Sequence, residues 1–237
     1  NQDDVLPFIW IQQTRGGSDL TYNRFNPVYK DTILNIIAQS DAVICDNVIN
    51  LKYLEEMGVK KNKFAPVCPI PGTGGMDLTN QSPPNIQKHI QSRHIVWPKA
   101  YLCPYSVSLP VVEAIQLAWD RIQPCTIHML AADKGTRLWY FSLPGNIRDH
   151  CHIYERIPRK DVQKLMENSR VMLAPSLIDG IPNVLYEAMA AGALPIVSPL
   201  ETIKSRISDE NALFVDNMDS KAIADTLVRA MKDDDLF

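Results

Sequence analysis

The amino-acid sequence predicts an α/β fold made of two parallel-sheet domains, the N-terminal one incomplete. Three observations carry that prediction. Short apolar runs alternate with longer amphipathic ones along nearly all of the 237 residues, the pattern of parallel strands joined by crossover helices. The alternation breaks at Pro69-Ile70-Pro71-Gly72-Thr73-Gly74-Gly75 and stays broken through Ser82-Pro83-Pro84, a stretch too rich in Pro and Gly for helix or central strand. Three strand–helix units precede the break and six follow it; six make a complete doubly wound domain, whereas three make about half of one. Both domains are therefore expected to be Rossmann-like, a partial one with its linker over residues 1–80 and a complete one over 81–237.

Taken in order, Leu6 to Gln12 reads as a strand, Pro27 to Gln39 as a helix, Ala42 to Cys45 as a strand and Val48 to Met57 as a helix closed by Gly58. Phe64 to Cys68 reads as a third strand. Gly72-Thr73-Gly74-Gly75 reads as a hinge, because the prolines after it rule out the helix start that a dinucleotide fingerprint needs. Past the linker come strand His94 to Trp97, helix Leu109 to Arg121, strand Thr126 to Leu130, a helix near Arg137 to Leu143 and strand His152 to Tyr154. Helix Arg159 to Ser169, strand Arg170 to Ala174, helix Pro182 to Ala191 and strand Leu194 to Val197 follow. A short helix near Glu201, strand Ala212 to Val215 and helix Ser220 to Met231 complete the series. Trp97, Trp119 and Trp139 sit among apolar residues, where core packing is the default, and Tyr101 is a candidate to stack on a base.

Composition excludes several functions. With 46% hydrophobic and 22% charged residues the chain has the makeup of a folded globular protein, and its net charge of -3 gives no general pull on phosphate backbones. Nucleic acid is not an expected partner. No apolar run approaches the ~18 residues of a membrane helix, and Asn1-Gln2-Asp3-Asp4 is acidic where a signal peptide is basic. The five cysteines, Cys45, Cys68, Cys103, Cys125 and Cys151, are odd in number and contain no C-x-x-C. That argues against zinc knuckles and disulfide frameworks and for free thiols in a reducing, cytoplasmic compartment. His150-Cys151-His152 would put two imidazoles on one face of a strand, but no second ligand cluster follows, so no metal site is expected. Lys60-Lys61-Asn62-Lys63 reads as a solvated turn.

Open parallel sheets bind ligands outside the carboxyl ends of their strands. The loop after Val171-Met172-Leu173-Ala174 stands out: Pro175-Ser176-Leu177-Ile178-Asp179-Gly180-Ile181-Pro182-Asn183, leading into the helix that carries Glu187. Pro182 suits a first helical turn, and the unpaired amides after it would suit a diphosphate. Asp179 and Glu187 are two carboxylates able to accept hydrogen bonds from sugar or ribose hydroxyls. The plainer alternative is that Asp179 complements the helix dipole and Glu187 is a solvated surface residue.

The segment from Val171 to Val197 resembles, as a whole, the donor-site signature of the retaining glycosyltransferases of family 4. That signature is a strand, Pro-Ser, two residues, Glu-Gly, a second Glu within Glu-Ala-Met-Ala, a small residue and a Pro-Val-Val strand. Here it reads Pro175-Ser176, Asp179-Gly180, Glu187-Ala188-Met189-Ala190 and Pro195-Ile196-Val197. Ile157 to Met166 is similar to the family's helix before the signature and Phe214-Val215 to the strand after it, and weaker similarities lie at Gly16-Gly17-Ser18-Asp19, Asp41 to Cys45 and Leu54 to Val59. The resemblance implies a GT-B fold and transfer of a hexose, with retention and without metal or other cofactor, from a nucleotide diphosphate sugar to an acceptor hydroxyl. It implies that Glu187 binds the ribose and Asp179 holds hydroxyls of the transferred sugar, with Ser176, Gly180, Ile181, Pro182 and Asn183 lining the diphosphate end. Lys99 would stand in the place of the family's donor-site lysine, its charge offsetting that of the leaving diphosphate. Asp179, Lys99 and Glu187 are thus the expected catalytic residues. The implied partners are the nucleotide-sugar donor and a glycan, lipid-linked or protein acceptor in glycan biosynthesis, with room for peripheral membrane contact.

The sequence also departs from that pattern. Asp179 replaces the first Glu and is shorter by one methylene. The family's Arg about five residues before its lysine has no counterpart, since Arg93 precedes the strand; Lys134 or Arg137 is the candidate second cation. Thr14-Arg15-Gly16 stands where relatives have a His, and the glycine-rich loop of a complete front domain is absent from the sequence. These departures keep two alternatives open, a sugar-nucleotide epimerase or phosphorylase on the same fold and a non-catalytic sugar-nucleotide-binding protein.

Overall fold

The structure is a computed structural model that describes residues 9–14, 18–70, 83–103 and 105–237. The residues read above as a hinge at 72–75, and Arg15, Gly16 and Gly17, lie outside the described residues. Contacts divide the chain into two compact units, residues 1–75 with the short segment 178–181, and residues 76–177 with 182–237.

In the first unit, strand β1 (Ile11–Thr14) pairs in parallel with β2 (Ala42–Cys45), Ile11 opposite Ala42 and Thr14 opposite Cys45. Helix α1 (Pro27–Gln39) connects them, opened by the Asn26 side chain, which accepts from the Val28 N–H. Helix α2 (Val48–Glu56) follows β2 and is capped by Asn47 in the same way. Leu20, Ile37, Val43, Tyr53 and Leu54 form the buried centre. The strand expected at Phe64 to Cys68 does not form. Phe64 makes a single bridge with Val43, and of this segment's described backbone N–H groups Ala65 and Ile70 donate to β2 carbonyls. Pro66 and Pro69 have no N–H to continue the ladder.

The second unit opens with helix α3 (Ile86–Gln91), which the sequence reading did not anticipate, and strand β3 (His94–Trp97). Then follow α4 (Leu109–Ile122), β4 (Thr126–Met129), α5 (Lys134–Ser142), α6 (Gly145–Arg148), β5 (Cys151–Ile153), α7 (Arg159–Asn168) and β6 (Val171–Ala174). Helix α8 (Asn183–Ala191), β7 (Leu194–Val197), α9 (Glu201–Lys204), β8 (Leu213–Phe214) and α10 (Ser220–Lys232) complete it. All strand pairs are parallel and the order is β5-β4-β3-β6-β7-β8. The chain therefore steps outward in one direction from β3, returns to the centre, and steps outward in the other from β6. On one face Ile95, Trp97, Ile127, Met129, Val171 and Leu173 pack with α4 and α10 side chains such as Ile115, Trp119 and Leu227. Burial on both faces explains why β6 and β7 read as unbroken apolar runs. Trp139 departs from the expected core placement: it is exposed on α5.

Gly192 closes α8 in the left-handed region at φ 92, and a Cβ there would stand 2.6 Å from Pro84 Cβ and 2.7 Å from His89 Nε2. Only glycine meets both conditions.

Two arginines sit at the amino ends of the central strands. Arg170, 1% exposed, donates to the carbonyls of Ile90, Ala230 and Asp233 and pairs with Asp234 at 2.8 Å. Arg93 donates to the carbonyls of Ile122, Pro124 and Met231. Each guanidinium thus satisfies carbonyls at or just beyond the C-termini of two helices. Arg93 is committed to the sheet's amino end, as its place before β3 suggested.

The opposite sheet face carries a histidine ladder across three strands. His94 stacks on His128 and His128 on His152, with ring centroids 5.3 and 5.6 Å apart. His94 Nδ1 lies 3.0 Å from His128 Nε2, and His128 Nδ1 lies 3.2 Å from the Tyr154 hydroxyl. His150 instead packs against Trp119, so the two imidazoles expected on one face are not brought together. Burial, reinforced by His94 and His152, lowers His128 from 6.5 to about 4, and burial lowers His94 too. Below pH 6.5 the unfolded chain then binds protons that the folded one refuses. Stability present above that value is expected to fall as pH drops towards about 4, by on the order of 3 kcal/mol. Urea unfolding of the wild type and of His128→Phe across this range checks it; an equal slope in both would contradict it.

Candidate functional site

The strand order reverses between β3 and β6, which pair through Ile95 with Val171 and Val96 with Met172. In such sheets the loops leaving these two strands flank the ligand crevice. The loop after β3 carries Lys99, and the loop after β6 carries Ser176.

Polar contacts hold the two loops together. Leu177 N–H donates to Tyr105 O at 2.8 Å, and Ser176 N–H donates to the Ser198 hydroxyl beyond β7 at 3.0 Å. Asn217, 1% exposed, accepts from Val107 N–H and donates to Val107 O and Pro175 O. The loops after β3, β6, β7 and β8 are thereby fixed to one another at the carboxyl edge. On the β4 side, Ala100 N–H donates to Leu130 O, and Ala131 takes the left-handed conformation at φ 58. Ser176 is buried and Lys99 half-buried.

Helix α8 begins at Asn183, with Pro182 at the N-cap rather than inside the first turn. Proline brings no side-chain acceptor, so no cap hydrogen bond forms there. Helix α5 differs, because Asp133 accepts from Thr136 N–H at 2.9 Å. Burial of the Asp133 carboxyl is outweighed by hydrogen bonds from the amides of Thr136, Leu102 and Gly135 and the Thr136 hydroxyl, and its pKa is lowered. Asp179, Gly180 and Ile181 belong to the 178–181 segment that groups with the first unit.

Glu187 is not the solvated residue that its plainer reading expected. It is 8% exposed, and its Oε1 pairs with Arg159 Nη2 at 2.8 Å. Arg159 opens α7, whose first turn, like that of α8, lies at the carboxyl edge. Sequence reasoning missed Arg159 and Asn217. It offered Lys134 or Arg137 as a second cation; the Arg137 guanidinium donates to Ala132 O and pairs with Glu155 at 2.8 Å. Among the described residues, the Ser108 hydroxyl, just before α4 at this edge, is buried without a hydrogen-bond partner.

Among the described residues no group of three or more His, Cys, Asp or Glu is placed to hold a metal ion, and no helix is long and apolar enough to cross a membrane. A cavity of about 270 Å³ lies within the first unit, lined by residues that include Gln12, Thr14, Leu20, Tyr29 and Ile33.

Residues 134–236 match the family model of the glycosyl transferases group 1. No curated protein matches the chain by sequence. Among solved structures, Anabaena HepE in complex with UDP-glucose is similar at TM-score 0.73 and 14% identity, over 95% of this chain and 63% of that one. A variant of S. aureus TarM in complex with Fondaparinux, alpha-GlcNAc-glycerol and UDP gives 0.75 and 12%, over 95% and 44%. The pneumococcal O-GlcNAc transferase GtfA in complex with UDP and GlcNAc gives 0.69 and 14%, over 94% and 44%. The chain thus spans less than two thirds of the length of each. At these identities the likeness is one of fold, the α/β fold with parallel sheets of GT-B glycosyltransferases.

Proposed function

We propose that this chain is the donor-binding half, with part of the acceptor half, of a cytoplasmic glycosyltransferase. It transfers a hexose from a nucleotide diphosphate sugar to an acceptor hydroxyl, with retention at the anomeric carbon and without a metal ion. One observation carries the reading: the Val171 to Val197 signature leaves its strand at the reversal of strand order and ends its loop at an α8 N-terminus with no side-chain cap. UDP is the first base to test, because HepE, TarM and GtfA are each complexed with UDP or UDP-glucose.

In this reading the loop amides from Ser176 to Asn183 take the diphosphate, with Gly180 allowing close approach and Pro182 starting the helix whose dipole favours the anion. Glu187 accepts from the ribose hydroxyls and Asp179 from hydroxyls of the sugar. Lys99 meets the negative charge that grows on the diphosphate as the glycosidic bond breaks, a role fixed side chains and helix ends fill without a metal. The acceptor is a glycan, a lipid-linked saccharide or a protein.

Calorimetric titration with UDP-, GDP-, ADP- and dTDP-glucose, first without metal and then with magnesium, tests the reading. Binding of one nucleotide class without metal is the expected result. Binding only with magnesium would contradict metal independence, and no binding by the chain or by a longer form completing the front domain would contradict the donor site.

A further inference from the structure

We infer that Cys45 and Cys68 form a reversible dithiol–disulfide pair, a modification site in the first unit that is independent of the donor site. Cys45 ends β2, opposite Thr14 of β1. Cys68 lies on the irregular segment that runs beside β2, where Ala65 N–H donates to Val43 O and Ile70 N–H to Cys45 O. Its sulfur is held against Cys45: Cys45 N–H donates to Cys68 Sγ at 2.9 Å, and the Cys68 thiol reaches Cys45 O at 3.7 Å. Both are free.

Their environments give them different tasks. Cys45 is fully buried, with the Thr14 hydroxyl 3.0 Å from its sulfur. Cys68 is half-buried and is the member that a small oxidant can reach. Burial pushes the Cys45 thiol up to about 12, against the hydrogen bond from Thr14, so Cys45 suits the second, intramolecular step, in which proximity replaces thiolate abundance.

The oxidant is a low-molecular-weight disulfide such as glutathione disulfide. The Cys68 thiolate attacks one of its sulfurs, forming a mixed disulfide and releasing one glutathione thiolate. Cys45, its proton passing to the departing glutathione thiolate, attacks the Cys68 sulfur and expels the second glutathione as its thiol. Two protein thiols are oxidised to one disulfide and one glutathione disulfide is reduced to two thiols. The bond fastens the 64–70 segment to the end of β2, where the prolines prevent a continuous ladder.

Cys125 and Cys151 provide an internal comparison. They lie on neighbouring strand ends, but both are buried, and burial pushes their thiols up to about 11 and about 12. The test treats the native chain with glutathione disulfide at about pH 8, quenches with acid, alkylates and maps the peptides. Expected are a Cys45–Cys68 linked peptide, two fewer alkylated thiols, an intact mass about 2 Da lower and full reversal by dithiothreitol. Cys68→Ser, a change at a half-buried position, is expected to leave Cys45 reduced, and Cys45→Ala to trap one glutathione on Cys68. Glutathione on wild-type Cys68 without an internal bond, a Cys125–Cys151 bond instead, or no thiol oxidation would each overturn the inference.

Discussion

Arg170→Ala is expected to destabilise the second unit by about 4 kcal/mol, with a fall in melting temperature of roughly 8–16 °C. The guanidinium is 1% exposed, gathers carbonyls from the C-terminal ends of α3 and α10, pairs with Asp234 and lies 4.9 Å from the Phe237 ring. Alanine would leave a side-chain-sized void and several carbonyls short of a donor inside the protein. Arg170→Lys keeps the charge but not the planar fork, and is expected to cost about half as much. These positions lie at the amino end of the sheet, so nucleotide-sugar affinity of the folded fraction should not change. A melting temperature within a few degrees of wild type would show that helix ends and strand starts hold without this clamp.

Glu187→Ala is expected to reduce nucleotide-sugar affinity by about 10-fold or more, on the order of 1.5 kcal/mol for lost charged hydrogen bonds, while melting changes little. The Arg159–Glu187 pair makes the two mutations unequal. Removing Glu187 leaves a guanidinium that is already 66% exposed and can be hydrated, so the loss should stay within ~1 kcal/mol. Removing Arg159 instead strands a carboxylate that is 8% exposed, and Arg159→Ala should cost more stability than Glu187→Ala. Thermal melts and calorimetry on both variants check this. Loss of stability in Glu187→Ala with unchanged affinity would reduce Glu187 to a structural partner of Arg159.

The parts of the fold legible in the sequence were those where a local pattern has one physical cause. Val171-Met172-Leu173-Ala174 and Leu194-Pro195-Ile196-Val197 read as strands because both faces of a central parallel strand are covered. Phe64 to Cys68 has similar apolar character, but Pro66 within it and Pro69 just after it remove ladder donors. Helix α3 is six residues long, too short for a periodic signal and placed just after prolines. In the candidate site, the loop at the switch point and Glu187 were marked by residues contiguous with them. Arg159 was not, since its partner lies on the next helix and no spacing rule joins them. Asn217 was equally silent: its bond to Pro175 O spans 42 residues, and a buried asparagine near the chain's end signals nothing until the loops it joins are seen together.

The most direct test of the donor site is where the nucleotide sugar slows backbone hydrogen exchange. With saturating UDP-glucose, or whichever nucleotide sugar binds, protection is predicted for Lys99 to Leu102 and for Ser176 to Glu187. Protection confined to residues 12–37, around the cavity of the first unit, or binding with no change at Ser176 to Glu187, would contradict it.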